Sequence, residues 1–432
     1  MKSFRDPVHN LIAFGEEDRL ILDLINTSEV QRLRRIRQLG LSNIAYPGAE
    51  HSRFVHSLGV AHIMRRFLDD PLRESDAMFI KGVKDFRHVA LASALLHDVG
   101  HGPFSHAIET ITGERHENWT VSLLRSPHTE IHQVLEQHEQ GMAQAVADVI
   151  DRSFQPSRAI VKLVSSQIDM DRTDYLLRDA MMTGAGYGSF DVEWLLHVMR
   201  IGEVDGEPEV GLDLAKGKSI AEDYVMSRYY MYLHVYFHQM SRAAEVLIEK
   251  MLLRAKEIGA FLPFLPSIDA LLQGSLRSED PTAIQRYLGL DDAVIWTAMH
   301  IWQGHDDPVL SDLAQRILHR RLYKAVVIRD DEHALTLRSR LLEEANRRKL
   351  PAPYYVITDR ADSSAYKDDY LSPVDRDASS SKSSKPSQNV FLFDDKGLAR
   401  ELSQESFIVE AVRNRAVSVT RMFYPSEWGI MA

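Results

Sequence analysis

The chain has 432 residues, of which 44% are hydrophobic and 26% charged, a balance typical of a soluble globular protein. It contains no cysteine, which excludes disulfides, thiolate metal sites and a cysteine nucleophile. The 51 basic and 62 acidic residues give a net charge of −11, which disfavours a nonspecific nucleic-acid coat without excluding a local basic site.

Residues 1–7 lack the apolar segment of a signal peptide, and no run of about 18 apolar residues that could span a membrane follows them. We therefore expect no membrane association and, since a cysteine-free chain suits a reducing compartment, a cytoplasmic location.

Hydrophobic periodicity predicts helices over most of the first 270 residues. Residues 89–98 (VALASALLHD) are apolar nearly all round, which predicts a helix buried on most sides with His97 and Asp98 in its last turn. Gly100 and the Gly102-Pro103 pair then end it. The predicted helices cover residues 28–39, 60–68, 89–98, 118–125, 142–151, 157–166, 171–182, 219–256 and 267–272.

The pattern changes after residue 321. Short strands are predicted at 323–328 (YKAVVI) and 354–357 (YYVI) around a helix at 331–347, and closing strands at 390–393 and 417–423. A serine-rich, low-complexity loop lies at about 372–389. The expected fold is mainly α, with a helical core over residues 1–320 and a smaller α+β region over 321–432.

Histidines concentrate in one part of the chain. Residues 51–116 hold eight of the 19, where an even spread would give about three. Because imidazole binds metals and titrates near neutral pH, this concentration indicates a metal or acid–base site. The eight are His51, His56, His62, His88, His97, His101, His106 and His116.

Adjacent His97 and Asp98 can both face one ion if a histidine and a carboxylate from elsewhere complete the site. His56 and Asp171 are the candidates. Two imidazoles and two carboxylates suit iron, manganese, cobalt, nickel or zinc better than calcium. The alternative is that a His-Asp pair merely caps a helix. The whole run HDVGHGPFSH, with two glycines, a proline and three histidines, favours a functional site.

From about residue 1 to 260 the chain resembles the HD-domain phosphohydrolases, and within them the deoxynucleoside triphosphate triphosphohydrolases. The run HDVGHGPFSH is highly specific for this branch. The resemblance rests on DPVH (6–9), QRLRRIRQLG (31–40), PGA (47–49), the run 51–59, HDVGHGPFSH (97–106), DRTDYLLRD (171–179), Arg228 and YFHQ (236–239).

The resemblance implies a helical HD core in which His56, His97, Asp98 and Asp171 bind a divalent transition metal (Mn, Fe, Zn, Ni or Co). Mg²⁺ at a second position is a further option. The reaction it implies is attack of water on the α-phosphorus of a deoxynucleoside triphosphate (dNTP), which gives a deoxynucleoside and tripolyphosphate.

Such a reaction needs a proton donor for the 5′-oxygen that leaves, and a histidine suits this role near neutral pH. His106 and His116 are the candidates, with His101 as a phosphate contact or partner. Glu109, one helical turn after His106, is expected to orient it, and Glu117 to support His116. The alternative for each histidine is a hydrogen-bonded structural role.

A triphosphate also needs cations. By resemblance, Arg53, Arg172 and Arg228 contact the phosphates, where arginine supplies paired hydrogen bonds. Arg172 stands where related enzymes often carry lysine. The alternative for Arg172, and for Arg178 on the same helix, is a surface ion pair with Asp174 or Asp179.

The resemblance assigns contacts with the sugar 3′-hydroxyl to Gln38, Tyr175 and Asp179. Tyr175 and Asp179 share a helix face because they are four residues apart. The resemblance also places Tyr236 beneath the sugar, where it excludes a 2′-hydroxyl, and Leu39 near the base. The alternative for Tyr236 is a core position within an aromatic stripe.

Some relatives are homo-oligomers activated by a nucleotide at a subunit interface. A homo-oligomer, either dimer or tetramer, is therefore expected. Gln31 and Arg34 of the activator segment are present, whereas Asn26 replaces an acidic residue and weakens the case for guanine-specific activation. Phe237 and Gln239 also depart from the pattern and leave base selectivity open.

Two rival functions remain at this level. One is another HD phosphohydrolase, for example a nucleotidase or phosphodiesterase. The other is a nucleotide-sensing or nucleic-acid-binding protein with a vestigial site, in which the cluster Arg32, Arg34, Arg35 and Arg37 binds the nucleic acid. The alternative for that cluster is a solvated or subunit-facing helix surface.

Overall fold

The computed structural model describes residues 2–70, 73, 76–364, 366, 389–413 and 415–430. Helices dominate it, and the strands form three small sheets, which confirms the expected mainly α fold. Most of the predicted serine-rich loop, residues 372–388, lies outside the described residues.

The first elements are an N-terminal hairpin and a series of short helices. They are β1 (Lys2–Asp6), β2 (Asn10–Phe14), α1 (Arg19–Ile25), α2 (Ser28–Arg32), α3 (Arg53–Leu68), α4 (Ala77–Gly82), α5 (Arg87–Leu96), α6 (Ser105–Thr112), α7 (His116–Arg125), α8 (Glu130–His138), α9 (Met142–Ile150), α10 (Arg158–Val164), α11 (Met170–Thr183) and α12 (Val192–Val198).

A second hairpin and the longer helices follow. They are β3 (Met199–Val204), β4 (Glu207–Asp213), α13 (Lys218–Met231), α14 (Gln239–Ile258), α15 (Pro266–Gln273), α16 (Pro281–Leu288), α17 (Asp292–Trp302), α18 (Pro308–Leu318), β5 (Tyr323–Val327), α19 (Asp331–Arg347), α20 (Ala352–Tyr355), β6 (Ile357–Ser364), β7 (Phe391–Phe393), β8 (Ala399–Glu401), α21 (Leu402–Glu405), α22 (Phe407–Val412) and β9 (Ala416–Pro425).

Two apolar cores organise these elements. In the first, α5 is the central helix: every residue from 90 to 96 is buried, as its all-round apolar sequence predicts, and α3 packs along it. In the second, α14 packs against α18 and against the antiparallel sheet β5-β9-β6, with Leu247 and Met251 fully buried. Burial of these faces, more than helix propensity, stabilises the short helices.

The C-terminal chain also joins the first core. Strand β7 pairs in parallel with β4, and its residues Phe391–Phe393 stand opposite Gly211–Asp213. The resulting sheet has the order β3-β4-β7-β8. The division of the chain near residue 320 stays a prediction, and this strand pairing connects its two parts.

Several predicted elements match closely: α19 has the predicted bounds, and α5, α9, α10 and α11 agree within two residues. Helix α5 ends at Leu96, so His97 and Asp98 follow the helix instead of occupying its last turn. The missed elements include the two hairpins β1–β2 and β3–β4, strand β8 and helices α1, α4, α8, α12, α16, α17, α18, α21 and α22.

Three predictions were wrong in detail. The helix expected over 28–39 ends at Arg32, continues as one 3₁₀ turn (Leu33–Arg35) and becomes extended at Ile36. The helix expected over 219–256 is interrupted by a π-helical turn at Tyr232–Tyr236, and His238 caps the next helix. Residues 354–355 belong to the helical turn α20, and the strand starts only at Ile357.

None of the helices in the described part of the chain is both long enough and apolar enough to cross a lipid bilayer.

Gly100 follows the His97–Asp98 pair at a point where the chain touches α7. A Cβ atom there would lie 2.3 Å from the backbone nitrogen of Thr120 and 2.4 Å from the carbonyl oxygen of His116. We predict that Gly100→Ala lowers the free energy of unfolding by about 1–3 kcal/mol, because the packed backbone of α7 cannot move away from the added methyl group. Urea unfolding measures the change.

Gly304→Ala is the matched control, because a Cβ atom at Gly304 meets only the Ile301 carbonyl oxygen, at 3.8 Å. Equal losses in the two variants would contradict the argument from close packing.

Candidate active site

Helices α3, α5 and α11 meet in the first core and bring together side chains that lie far apart in sequence. Arg53 and His56 come from the first turn of α3, His97 and Asp98 follow α5, and Asp171 lies in the first turn of α11. Asp169 caps α11 by accepting a hydrogen bond from the Arg172 backbone, 2.7 Å long, and so sets where the helix begins.

The four predicted metal ligands converge. Nε2 of His56 lies 3.1 Å from Oδ1 of Asp171 and 3.9 Å from Oδ2 of Asp98. Nε2 of His97 lies 3.3 Å from Oδ1 of Asp98 and 3.4 Å from Oδ1 of Asp171. The sequence prediction therefore chose residues that the fold brings to one place.

These residues fit a divalent cation. His97 donates its Nδ1 hydrogen to the Ala94 carbonyl oxygen at 2.9 Å, so in the neutral ring its buried Nε2 carries a lone pair, and this nitrogen has no hydrogen-bond partner among the described residues. A buried acceptor facing two carboxylates is costly unless a cation lies between them. His56, His97 and Asp98 also satisfy the spacing required of ligands to one ion.

The electrostatics agree with this interpretation. Burial opposes charge on His56, but hydrogen bonds to Asp171 and Asp174 outweigh it and raise the pKa of His56 to about 10. The pKa of Asp171 is lowered despite burial, because His97 and His56 favour its charged form. The cluster thus holds positive charge between its carboxylates, as protons or as a metal ion.

Arg53 is the nearest arginine to this cluster. It is buried, and its Nη1 donates to Oδ2 of Asp98 at 2.5 Å. Burial opposes ionisation of Asp98, yet His101, His97 and Arg53 hold its pKa well below the usual range. Asp98 is therefore a carboxylate that faces both the proposed metal and a phosphate-binding side chain.

Histidines 101 and 116 form a stack beside Asp98, with ring centroids 3.6 Å apart. Nε2 of His101 lies 3.2 Å from Asp98 Oδ1, and Nδ1 of His116 lies 2.7 Å from Glu109 Oε1. The expectation that Glu109 orients His106 was wrong. Helix α6 ends before Gly113, and the chain returns so that His116, at the start of α7, lies over Glu109.

The side chain of His106 is exposed and makes no hydrogen bond among the described residues, although it lines the same cavity. Glu117 lies 3.5 Å from His116 Nδ1 and also pairs with Arg115, so it supports His116 less strongly than Glu109 does.

A cavity of about 630 Å³ opens beside the cluster, where the two apolar cores meet. Asp98 and Asp171 line it, while the buried His56 and the half-buried His97 do not. Arg228 also does not line it: it is buried, with its guanidinium 5.7 Å from the Tyr232 ring. The other predicted substrate residues all line it: Gln38, Leu39, Arg53, Arg172, Tyr175, Asp179 and Tyr236.

The residues predicted to contact the sugar are held in place. Asp179 accepts a hydrogen bond from the Tyr236 hydroxyl at 2.8 Å and contacts Nε2 of His51 at 2.8 Å. The backbone nitrogen of Gln38 donates a hydrogen bond to the His51 carbonyl oxygen, and the buried Oε1 of Gln38 has no partner in the part of the chain that the structure describes. His51, which had no assigned role, thus supports both Asp179 and Gln38.

Of the ion pairs considered for Arg172 and Arg178, the described residues show only the one between Arg178 and Asp174, and it is buried instead of lying on the surface. Arg172 pairs with Asp169 at 2.5 Å and lines the cavity. Arg178 is fully buried and pairs with Asp174 and Asp6. Both arginines are anchored inside the protein, and only Arg172 reaches the cavity.

The arginine cluster considered for nucleic-acid binding is mostly engaged in internal contacts. Arg32 is buried and donates to the carbonyl oxygens of Leu290 and His101. Arg35 pairs with Asp291, and Arg37 pairs with Glu50. A solvated or subunit-facing surface is therefore wrong for Arg32, whose guanidinium supports the His101 backbone.

The residues of the predicted activator site lie near one another. Arg34 donates to Gln31 Oε1 at 2.8 Å and stacks over the Phe54 ring, 3.6 Å from its centroid. Asn26 accepts a hydrogen bond from Lys2 at 3.3 Å. Nucleotide binding there stays a prediction.

Sequence reasoning missed two parts of the site. Asp174 accepts a hydrogen bond from His56 at 2.8 Å, and its spacing of three residues from Asp171 was the available signal. The far wall of the cavity comes from the second core, for which the motifs give no signal. It consists of Arg242, Glu245 and Ile248 of α14 with Arg360, Ala361 and Asp362 of β6.

Comparisons with known proteins identify the family of this chain. A family model described as the HD domain matches residues 53–182, which include all four proposed ligands. The uncharacterized protein YwfO of Bacillus subtilis is 38% identical over 99% of this chain and 92% of its own length. The chain therefore belongs to the HD-domain phosphohydrolase family, a class of hydrolases whose HD domains bind divalent metals.

Two further relatives are informative. The deoxynucleoside triphosphate triphosphohydrolase SAMHD1 of Danio rerio is 27% identical over 76% of this chain, which spans 55% of SAMHD1. The crystal structure of a phosphohydrolase from Bacteroides thetaiotaomicron superposes with a TM-score of 0.79 and 26% identity, covering 98% of this chain and 99% of the other.

His62, on α3 near His9, provides a test of burial in this region. Burial lowers the pKa of His62 to about 4, and His9, Arg66 and Arg65 act in the same direction while Asp174 opposes it weakly. The ordinary value is about 6.5, so the unfolded chain binds more protons between pH 6.5 and pH 4. Stability is full above that window and falls as the pH decreases through it.

We predict that His62→Leu reduces this fall by about 3 kcal/mol at most, since one pKa unit corresponds to about 1.4 kcal/mol. Urea unfolding of both proteins from pH 8 to pH 4 measures it, and the values at pH 8 correct for the packing change. Parallel curves would contradict a neutral, buried His62.

Proposed function

We propose that this protein hydrolyses deoxynucleoside triphosphates to deoxynucleosides and tripolyphosphate in a metal-dependent reaction. The observation that carries the proposal is one cavity that combines three sets of groups. Asp98 and Asp171 form its metal side, Arg53 and Arg172 supply cations, and Tyr175, Asp179 and Tyr236 form a sugar-sized polar wall. Its volume of about 630 Å³ lies within the range of small-molecule sites.

His56, His97, Asp98 and Asp171 would hold the metal, which their nitrogen and oxygen donors suit if it is Mn, Fe, Zn, Ni or Co. A divalent ion there supplies a water of lowered pKa and neutralises phosphate charge. Mg²⁺ at a second position stays a prediction.

The phosphate groups meet fixed cations. Arg53 is held by Asp98, and Arg172 by Asp169, so neither guanidinium needs to be ordered when a substrate arrives. Arginine offers paired hydrogen bonds to phosphate oxygens, and these two arginines favour a polyphosphate over a monophosphate. A phosphate contact by Arg228 stays a prediction and needs a movement of its buried side chain.

The leaving 5′-oxygen needs a proton, and the structure favours His116 as its donor over His106. Glu109 accepts the Nδ1 hydrogen of His116 and so orients the ring, which leaves Nε2 as the nitrogen that would pass a proton to the leaving oxygen. His101, stacked on His116 and next to Asp98, is placed to contact phosphate. The exposed His106 has no such support.

The sugar end of the cavity supports a deoxyribose. Asp179 and the free Oε1 of Gln38 are acceptors for a 3′-hydroxyl. Tyr236 is tied to Asp179, and its ring lies 6.2 Å from that of Tyr175, so it has little freedom to move away from a 2′-hydroxyl. The base would lie toward Leu39 and the wall formed by α14 and β6.

The rival function of a nucleotide-sensing or nucleic-acid-binding protein predicts a different site. A vestigial site would lack a ligand or a substrate cation, whereas the four proposed ligands lie together and Arg53 and Arg172 line the adjoining cavity. Assembly as a dimer or tetramer, an activating nucleotide at a subunit interface and a cytoplasmic location stay predictions.

The first test is product analysis. Purified protein is incubated with each dNTP and each ribonucleoside triphosphate, with Mn²⁺ or Mg²⁺, with and without a second nucleotide. We expect deoxynucleoside and tripolyphosphate, resolved by ion-exchange chromatography, and slower turnover of ribonucleotides. Release of pyrophosphate or single phosphate, or no turnover under any of these conditions, would refute the proposal.

The second test removes a ligand. We predict that Asp98→Ala abolishes bound metal and activity while the fold is kept, because Arg53 lines the cavity and can reach solvent after losing its partner. Elemental analysis, circular dichroism and the product assay measure these effects. Asp306→Ala, at an exposed position, is the control, and full activity of Asp98→Ala would reject the ligand assignment.

A further inference from the structure

Asp174 is a fully buried carboxylate that accepts four hydrogen bonds. Its Oδ2 accepts from Nδ1 of His56 at 2.8 Å and from Nε of Arg178 at 2.8 Å. Its Oδ1 accepts from Nε2 of His9 at 2.6 Å and from Nη2 of Arg178 at 2.9 Å. Asp174 is thus an ionised acceptor with its lone pairs in use.

The turn between β1 and β2 belongs to the same network. Oδ1 of Asp6 accepts hydrogen bonds from the backbone nitrogens of Val8 and His9, both at 2.9 Å, and so shapes the turn. Oδ2 of Asp6 accepts from Nη1 of Arg178 at 2.8 Å. The N-terminal turn is therefore bound to α11 through both Asp6 and His9.

Helix α3 approaches this network at Gly59, close to His56. A Cβ atom at Gly59 would lie 1.8 Å from Oδ1 of Asp174 and 2.5 Å from Nη2 of Arg178. A glycine at this position thus allows α3 and α11 to come close enough for the His56–Asp174 hydrogen bond.

We infer that Asp174, held by Arg178 and by His9 of the N-terminal turn, is a positioning residue of the metal site. By accepting the Nδ1 hydrogen of His56, it orients the ring and leaves Nε2 as the nitrogen that binds metal. The turn at residues 6–9 is then part of the metal site although it supplies no ligand. The inference rests on the metal site proposed above.

A merely structural network would affect stability, whereas a positioning role affects the affinity for metal in folded protein. The primary variant is Asp174→Asn, which keeps the size of the side chain but replaces one acceptor oxygen by a donor facing Arg178 and a histidine. Asp23→Asn is the matched control, because Asp23 also pairs with an arginine four residues away on its helix, at an exposed position.

Metal-free proteins are titrated with Mn²⁺ alone and with Co²⁺ alone, and the visible absorption of Co²⁺ reports the ligand geometry. We expect Asp174→Asn to bind each metal about 10–100-fold more weakly, with an altered Co²⁺ spectrum, as loss of a partner of a metal-bound histidine generally does. The control should match the wild type. Circular dichroism and thermal unfolding of the metal-free proteins establish that each variant is folded.

Because Asp174→Asn removes a buried charge and can unfold the protein, His9→Ala is the second variant. It removes one of the four hydrogen bonds to Asp174, and we expect a smaller loss of metal affinity in the same direction. Wild-type affinity and an unchanged Co²⁺ spectrum in folded His9→Ala or Asp174→Asn would overturn the inference. That result would leave the proposed function standing if the wild type binds metal and hydrolyses dNTPs, whereas a wild type that binds no metal would refute both.

Discussion

Three carboxylates surround His56 in the interior of the first core, and each needs a positively charged partner. Asp98, Asp171 and Asp174 all lie around His56, at 3.9, 3.1 and 2.8 Å from its ring nitrogens. An isolated carboxylate in such a place would cost several kcal/mol, so these groups are stable only with their imidazole, guanidinium or metal partners in place. The positions of α3, α5 and α11 are therefore coupled to the chemistry of the cluster. A fold that separated these helices would lose the charge balance together with the site.

Elements that neighbouring residues determine could be predicted from the sequence, whereas elements that depend on distant residues could not. Helix α5 was predictable because an all-round apolar run has few alternatives to a buried helix, and α19 because its periodicity and its limits are both clear. The π-helical interruption at Tyr232–Tyr236 was not predictable, because the sequence around it keeps a helical pattern. At this turn the Tyr236 hydroxyl donates a hydrogen bond to Asp179, a contact between residues far apart in the sequence. The strand pairing of β7 with β4 joins residues about 180 positions apart, for which local patterns carry no information.

The candidate site divides in the same way. The histidine–aspartate cluster could be predicted because histidine and aspartate are common metal ligands, and their spacing in the sequence indicates which of them can share one ion. The role of Arg32 could not be predicted, since it looks like an ordinary charged residue on a helix and acquires its role only through partners distant in the sequence. For Asp174 the spacing from Asp171 was a signal, but its partner His56 lies 118 residues away. The pairing of Glu109 with His116 instead of His106 shows the limit of spacing arguments, because the chain reversal at Gly113 overrides the helical repeat.

The far wall of the cavity has a consequence for how such proteins can diversify. Residues 360–362 belong to a strand of the second core, and their neighbours on α14 pack outside the helices that carry the histidine–aspartate cluster. Substitutions there reshape the space offered to one end of a bound molecule without altering the groups that act at the other end. Descendants of one ancestor can therefore come to accept different molecules while the way in which those molecules are cleaved is inherited unchanged.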